Sequence, residues 1–313
     1  MAAPSVSIPV TRSIGGRTRA HVDRAGQLVE VWLRTHTLLV YLFLYLPIVV
    51  VVVFSFNGTE RRVTNWAGLS LRWYEFVLGD ETIQGFLMNS LIVGTATAVI
   101  STIVGTMAAL GLQRTPKWFR LPFDALTYVS IIVPELVIAL ASLVFFASTI
   151  GPDGILTNAT GIKIGFGFHT IVGALSLFNI SLVLLLVRAR MSGMDRTHVE
   201  ASYDLYGTPW RTFWQITFPQ LLPAIVAGFL LSFTFAFDDY LITTFVNGQG
   251  TSTIPLYVFG EIRRGVTPAT NAVAAIMLLI TLSILLGGQL LTRRRGSGGR
   301  DTSVAGMIAE QGA

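Results

Sequence analysis

Three carboxylates, Glu135 and the adjacent pair Asp238-Asp239, lie inside long apolar runs of this 313-residue chain. A charge in the hydrocarbon core of a membrane costs several kcal/mol, so such acids face a cavity or a partner and mark a pathway. Carboxylates pair naturally with alkylammonium groups, which makes recognition of a passing polycation the chemistry these residues suit. Neighbours on a helix point about 100° apart, so one of Asp238 and Asp239 is expected to line the pathway while the other bonds to a nearby helix. Glu135 follows Pro134, where a freed carbonyl and a kink make room for water or a ligand. Tyr240, with Phe233, Phe235 and Phe237, adds aromatic faces that can take a cation, although packing or lipid contact accounts for most of these rings. Polar contacts between helices are the competing use for all three acids.

A second constellation is polar and lies between two apolar runs: Glu200-Ala201-Ser202-Tyr203-Asp204-Leu205-Tyr206-Gly207-Thr208-Pro209, followed by Ile216 and Phe218-Pro219. Val199, Tyr203 and Tyr206 recur at helical spacing on one face, and Glu200 and Asp204 share another. Gly207 is expected to end this helix in the left-handed conformation. Thr208 as N-cap and Pro209 at the first helical position then start a second helix. On that helix Trp210, Phe213 and Trp214 form an aromatic stripe, and Pro219 is expected to close it. Two short helices with a bend and free acids read as a docking element. A plain interfacial loop anchored by its aromatics is the alternative.

The elements that must position these residues follow from composition. The chain is 52% hydrophobic and 12% charged, with a mean hydropathy of +0.65. That is too little charge to coat a soluble globule, so an all-α integral membrane protein is expected. Six apolar segments are long enough to span: 37–56, 88–112, 123–149, 168–187, 221–246 and 272–291. Their runs are continuous rather than alternating, which excludes a β-barrel. Gly94, Ala96, Ala98, Ser101 and Gly105 give the second span a small-residue packing face.

Of the 22 Lys and Arg residues, 16 fall in the two ends and the loops after spans two and four. That asymmetry puts both termini, and the Glu200 segment, in the cytoplasm. Residues 1–34 then read as a mobile basic tail with no signal-peptide core, 35–292 as the six-span domain with a cytoplasmic loop at 188–220, and 293–313 as a second tail. Trp66, Trp73 and Tyr74 fit an interfacial belt or a short amphipathic helix on the outer side. Asn57 and Asn158 stand in glycosylation sequons, a weak signal.

The chain has no cysteine and hence no disulfide or thiolate site. No phosphate-binding loop, Ser/His/Asp constellation or His-Glu-x-x-His motif occurs, so ATP binding and catalysis are not expected of it. The net charge of +5 is a topology signal and gives no reason to expect nucleic acid.

The Glu200 segment resembles the signature loop of bacterial ABC-importer permeases, Glu-Ala-Ala, three residues, Gly, nine residues, Ile, one residue, Leu-Pro. Glu200, Ala201, Ile216 and Pro219 match it. Ser202 stands for the second Ala, Phe218 for the Leu, and Tyr206 takes the Gly position with Gly207 next to it. The stretch 232–240, then Phe245-Val246-Asn247-Gly248, Ile254-Pro255-Leu256-Tyr257 and Gly265-Val266-Thr267-Pro268, is most similar to the second permease of spermidine/putrescine importers. The resemblance implies a MetI-like permease fold in a bacterial inner membrane. It also implies a homologous second permease, two copies of a cytoplasmic ATPase carrying ATP and Mg, and an extracytoplasmic polyamine-binding protein. Glu200, Ala201, Ser202, Asp204, Leu205, Gly207 and Pro209 would form the ATPase coupling element, and Asp238, Asp239, Glu135 and Tyr240 the substrate pathway. Two rivals stay open: the same machine carrying ferric iron, phosphate or sulfate, and a self-sufficient secondary transporter. The latter would need an internal repeat, and none is convincing here.

Overall fold

The computed structural model describes residues 16–60, 65–195 and 197–296. The remainder of the expected tails, 1–15 and 297–313, lies outside the described residues, as do Arg61 and Arg62. The chain divides into two units, the first ending at Phe54. That first unit is carried by α1, Gly16–Ser55, whose segment from Val29 onward is long and apolar enough to cross a membrane. The helix thus begins well before the expected start of the first span.

The second unit holds the remaining helices. α2 (Arg72–Gly79) leads into α3 (Glu81–Gln113), started by Asp80, whose carboxylate accepts the N–H groups of Thr82 and Ile83. α4 (Lys117–Ile132) and α5 (Glu135–Ile150) follow, then α6 (Ile155–Thr160) and α7 (Phe168–Ser192). The elbow consists of α8 (Thr197–Asp204) and α9 (Pro209–Thr212), continued by a π-helical turn over Phe213–Thr217 into α10 (Phe218–Phe237). α11 (Leu241–Val246), α12 (Ile254–Arg264) and α13 (Pro268–Gly296) complete it. Among the described residues, six stretches can cross a membrane by length and composition.

The centre is built from α3, α7 and α10. Gly105 shows why they can pack closely: a Cβ there would sit 2.9 Å from the Ile180 carbonyl oxygen and from Val183. Gly94, Ala98, Ser101 and Gly105 are buried along α3, so the small-residue face does bring backbones together where no hydrophobic effect drives association. Val93, Ile171, Leu175 and Ala236 fill one core cluster, and Phe233 and Phe237 anchor another. Phe233 and Phe237 therefore pack inside, 3% and 1% exposed, as the packing alternative expects.

Two expected spans are each broken once. The segment 123–149 is divided at Val133-Pro134, where proline removes a donor and pushes its predecessor into extended backbone. The segment 221–246 was expected to be one helix, but α10 stops at Phe237 and α11 starts at Leu241. Asp238 and Asp239 therefore occupy a break, not a helix interior. α5 and α11 pack against each other, which brings the two breaks together. Irregular backbone at such depth is tolerated only where protein or a water-filled cavity covers it.

On the loop before α2, Asn57 is fully buried and its side chain is consumed locally. Its amide donates to the Asn65 carbonyl at 2.8 Å and its oxygen accepts the Ala67 N–H at 2.9 Å, which rules out this sequon as a modification site in the folded chain. Trp73 Nε1 donates to the Asn57 carbonyl and the Tyr74 hydroxyl pairs with Ser55 Oγ, so both rings of the expected amphipathic helix are tied inward.

Candidate functional site

Where α5 and α11 meet α10, the residues singled out for a pathway converge. Glu135, Asp238, Asp239 and Tyr240 all line one cleft of about 600 Å³, together with Phe235 and Phe259. Glu135 stands in the first turn of α5, directly after the Pro134 break. Asp238 closes α10, its N–H donating to the Thr234 carbonyl at 3.2 Å, and its side chain is exposed to the cleft.

Asp239 behaves differently from its neighbour. It is 6% exposed and caps α11, accepting the Ile242 N–H at 3.3 Å and the Thr243 N–H and hydroxyl at 2.7 Å each. A carboxylate at a helix start satisfies free donors and suits the positive end of the helix dipole. The pair thus divides its work: Asp238 faces the cleft and Asp239 holds the shape of the break.

The acids have aromatic company. The Tyr240 ring stacks on Phe259 with centroids 3.8 Å apart, and Phe235 forms an edge contact with Phe178 at 5.7 Å. Phe235 is 48% and Phe259 44% exposed, so both offer ring surface to whatever enters. Clustered carboxylates beside open aromatic faces attract an organic cation through charge and through the ring quadrupoles. Phe259 was not legible as a site residue in the sequence, because nothing there shows that α12 folds back over the break.

Behind the cleft, Glu135 and Asp239 also line a smaller chamber of about 80 Å³, bounded by Leu175 and Phe178 of α7.

The elbow is equally specific in its geometry. α8 is started by Asp195, which accepts the Thr197 hydroxyl at 2.6 Å and the Thr197 N–H at 2.9 Å. Those two bonds, with His198 nearby, hold the Asp195 carboxyl below its ordinary range. The end of α8 carries paired closing bonds, from the Gly207 N–H to the Ser202 carbonyl at 2.8 Å and from the Tyr206 N–H to the Tyr203 carbonyl at 3.0 Å. This is a Schellman closure, and its left-handed residue is Tyr206 at φ +60°, not Gly207 as expected. Gly207 is needed for another reason: a Cβ there would lie 2.5 Å from Ser202 Oγ and 2.6 Å from its carbonyl. Since Tyr206 has left the helix and is 96% exposed, it shares no face with Val199 and Tyr203.

Across the bend, Thr208 caps α9 by accepting the Arg211 N–H, and Pro209 takes the first position. Ser202 Oγ and Thr212 Oγ1, 2.8 Å apart, pin α8 to α9. Trp210 and Trp214 make an edge contact at 5.7 Å, so the aromatic stripe forms. Pro219 does not close this helix. The π turn at 213–217 shifts the bonding register, with the Phe218 N–H reaching Phe213, and the helix runs on into α10. Glu200, Ala201, Asp204 and Leu205 are exposed, Leu205 at 82%. A groove of about 730 Å³ lies between this elbow and the ends of α3 and α7, lined by Arg114, Met194, Glu200, Tyr203 and Trp210 among others.

Residues 101–296 match the profile of the family described as binding-protein-dependent transport system inner membrane component. The chain is 35% identical over 249 residues to the putrescine transport system permease protein PotI of Escherichia coli (strain K12), covering 79% of this chain and 85% of that one. It is 31% identical over 255 residues to the spermidine/putrescine transport system permease protein PotC of Haemophilus influenzae (strain ATCC 51907 / DSM 11121 / KW20 / Rd), covering 82% and 94%. Among solved structures, a bacterial ABC transporter involved in the import of the acidic polysaccharide alginate superposes with a TM-score of 0.69. That likeness covers 89% of this chain and 99% of the other at 14% identity, and it carries the fold alone.

Proposed function

On the premise that this chain belongs to the family of binding-protein-dependent transport system inner membrane components, we propose that it is the permease subunit of a polyamine importer. In this reading it forms the translocation pathway with a homologous second permease. Two copies of a cytoplasmic ATPase bind ATP and Mg, and an extracytoplasmic binding protein delivers putrescine or spermidine. The relatives named for those solutes favour this cargo. So does the one observation that carries the reading: Glu135, Asp238 and Asp239 converge with Phe235, Tyr240 and Phe259 in a single cleft at two helix breaks. An anion such as phosphate or sulfate would meet uncompensated like charge there.

The mechanism follows from the two sites. The exposed acids Glu200 and Asp204, with Leu205 at the tip, dock on the ATPase on the cytoplasmic side. ATP closes the ATPase dimer and displaces α8. The Ser202–Thr212 contact and the unbroken run through the π turn pass that movement to α10. The lower end of α10 is thereby tied to the break at Asp238, and the cleft opens outward, receives its cation and is reset on hydrolysis. The chain contributes binding and motion, and phosphate chemistry stays on the partner. Residues 1–34 and 293–313 are assigned to cytoplasmic tails flanking the 35–292 permease domain of a bacterial inner membrane.

The reconstituted complex in liposomes, offered labelled putrescine, spermidine, ferric iron, phosphate and sulfate, tests the cargo. ATP-dependent accumulation of the two polyamines is the expected result. Accumulation of one of the inorganic ions in their place would refute the assignment, and uptake by this chain without the ATPase would refute the machine.

A further inference from the structure

We propose that Arg188 is a positioning residue for the acidic cleft: its ion pair with Asp124 makes α4, and Glu135 beyond it, move with the helices that the elbow drives. The inference rests on the transport reading above and adds a second arm to its coupling route. α4 is thinly packed within this chain. Thr127 is its one buried side chain, and the Thr127 hydroxyl donates to the Phe123 carbonyl at 2.8 Å. Leu121, Leu126 and Ile132 are exposed, and the helix leans chiefly on α7. A helix that buries so little apolar surface is not held in place by packing, so directed contacts fix its position.

Asp124 supplies such a contact. Both terminal nitrogens of the Arg188 guanidinium donate to its carboxylate, Nη1 to Oδ1 and Nη2 to Oδ2, the latter at 3.3 Å. Arg120, one turn earlier on α4, places Nε 3.5 Å from Oδ2. The Arg188 and Asp124 side chains are 20% and 28% exposed. A fork of this kind fixes direction as well as distance, and partial burial makes loss of one partner costly. The other ion pairs among the described residues are local. They span three or four positions or, for Arg72 and Glu60, close the loop before α2.

The place of Arg188 on α7 gives the pair its role. Two positions later, Arg190 donates Nε to the Gln220 carbonyl at 3.2 Å, in the first turn of α10. Residues two apart on a helix point about 200° apart, so one turn of α7 holds α4 on one side and α10 on the other. Each held helix leads to an acid of the cleft. α10 ends at Asp238, and α4 ends at the Val133-Pro134 break with Glu135 immediately after it. The elbow runs without interruption into α10. A displacement arriving there reaches Asp238 along α10, and it reaches Glu135 through Arg190, α7, Arg188 and α4. Both walls of the cleft are thus moved from one point.

The test uses the complete reconstituted complex with labelled putrescine on the binding protein, measuring uptake and ATP hydrolysis together. Arg188→Gln and Asp124→Asn are each expected to lower putrescine moved per ATP hydrolysed about tenfold, the scale of one charge-assisted hydrogen bond, while hydrolysis continues. The double variant is expected within about twofold of either single one, because both remove the same contact. Wild-type coupling in Arg188→Gln, or losses that multiply in the double variant, would overturn the proposal. A second measurement separates positioning from support of the fold. The chain has no cysteine, so in a complex with cysteine-free partners spin labels at Leu121→Cys on α4 and Ser192→Cys at the end of α7 report one distance. That distance is expected to be the same with and without ATP, and to broaden in Arg188→Gln. Should the charge variants fail to assemble, the labelled chain with Arg188 and Asp124 intact still decides: a distance that changes on ATP binding shows α4 moving free of α7 and overturns the inference, and a constant one sustains it. Failure of the underlying reading is separate, since the wild-type complex would then not accumulate putrescine at all.

Discussion

Asp239 Oδ2 receives both the N–H and the hydroxyl of Thr243, each at 2.7 Å, at the start of α11. Through this contact an acidic residue in an apolar span becomes a structural cap, while its neighbour Asp238 faces the cleft. It also separates two effects that substitution of the pair would otherwise mix.

Asp239→Asn presents one N–H₂ to donors that need an acceptor. It should lower stability by about 1–3 kcal/mol, read as a fall in the melting temperature of the purified complex. Asp238→Asn makes no such conflict and should leave the melting temperature unchanged while uptake falls. Equal melting shifts for the two variants would contradict the division of roles.

At the tip of the elbow, Tyr206 holds φ +60° where the family signature has glycine. A side chain in that conformation costs about 1–2 kcal/mol. Tyr206→Gly should therefore slow amide exchange across α8 and α9, and Gly207→Ala should accelerate it by forcing a Cβ against Ser202. Exchange rates that move together in the two variants would contradict the Schellman assignment.

Glu200→Lys reverses charge on an exposed position of α8. Ligand capture by the binding protein should be intact, and uptake should fall to background. Measured side by side in one preparation, normal uptake by this variant would remove Glu200 from coupling.

Gly105 lies under Ile180 and Val183 with no room for a side chain. Gly105→Val should destabilise the fold by about 1–3 kcal/mol as α3 and α7 are pushed apart, seen as lower melting temperature and poor assembly. A fully stable variant would show that the helices separate without cost.

The sequence legibility of this protein follows the range of the forces involved. Six spans and the Pro134 break depend on local hydropathy and on a missing donor, and both are visible in single residues. The break at Asp238 is not, because 221–246 is a long, mainly apolar run with no glycine or proline near the two acids. It forms where Asp239 can cap α11, and the only local hint is Thr243 four residues later. The same limit applies to the bend. Gly207-Thr208-Pro209 announces a turn, but which residue takes the left-handed position depends on the Ser202 carbonyl reaching the Gly207 N–H. Likewise the π turn at 213–217, which carries the elbow past Pro219 into α10, is a register adjustment with no composition of its own. Phe259 acquires meaning only once α12 is placed against the break.

Most directly, labelled putrescine uptake by the reconstituted complex can be compared for wild type and Glu135→Gln/Asp238→Asn, which removes two carboxyl groups from the cleft and keeps Asp239 in place. Wild type should show ATP-dependent uptake, and the double variant at least a tenfold rise in the half-saturating putrescine concentration or a matching loss of rate. Unchanged uptake in that variant, with an intact fold, would contradict the claim that the acidic cleft is the path of the cation.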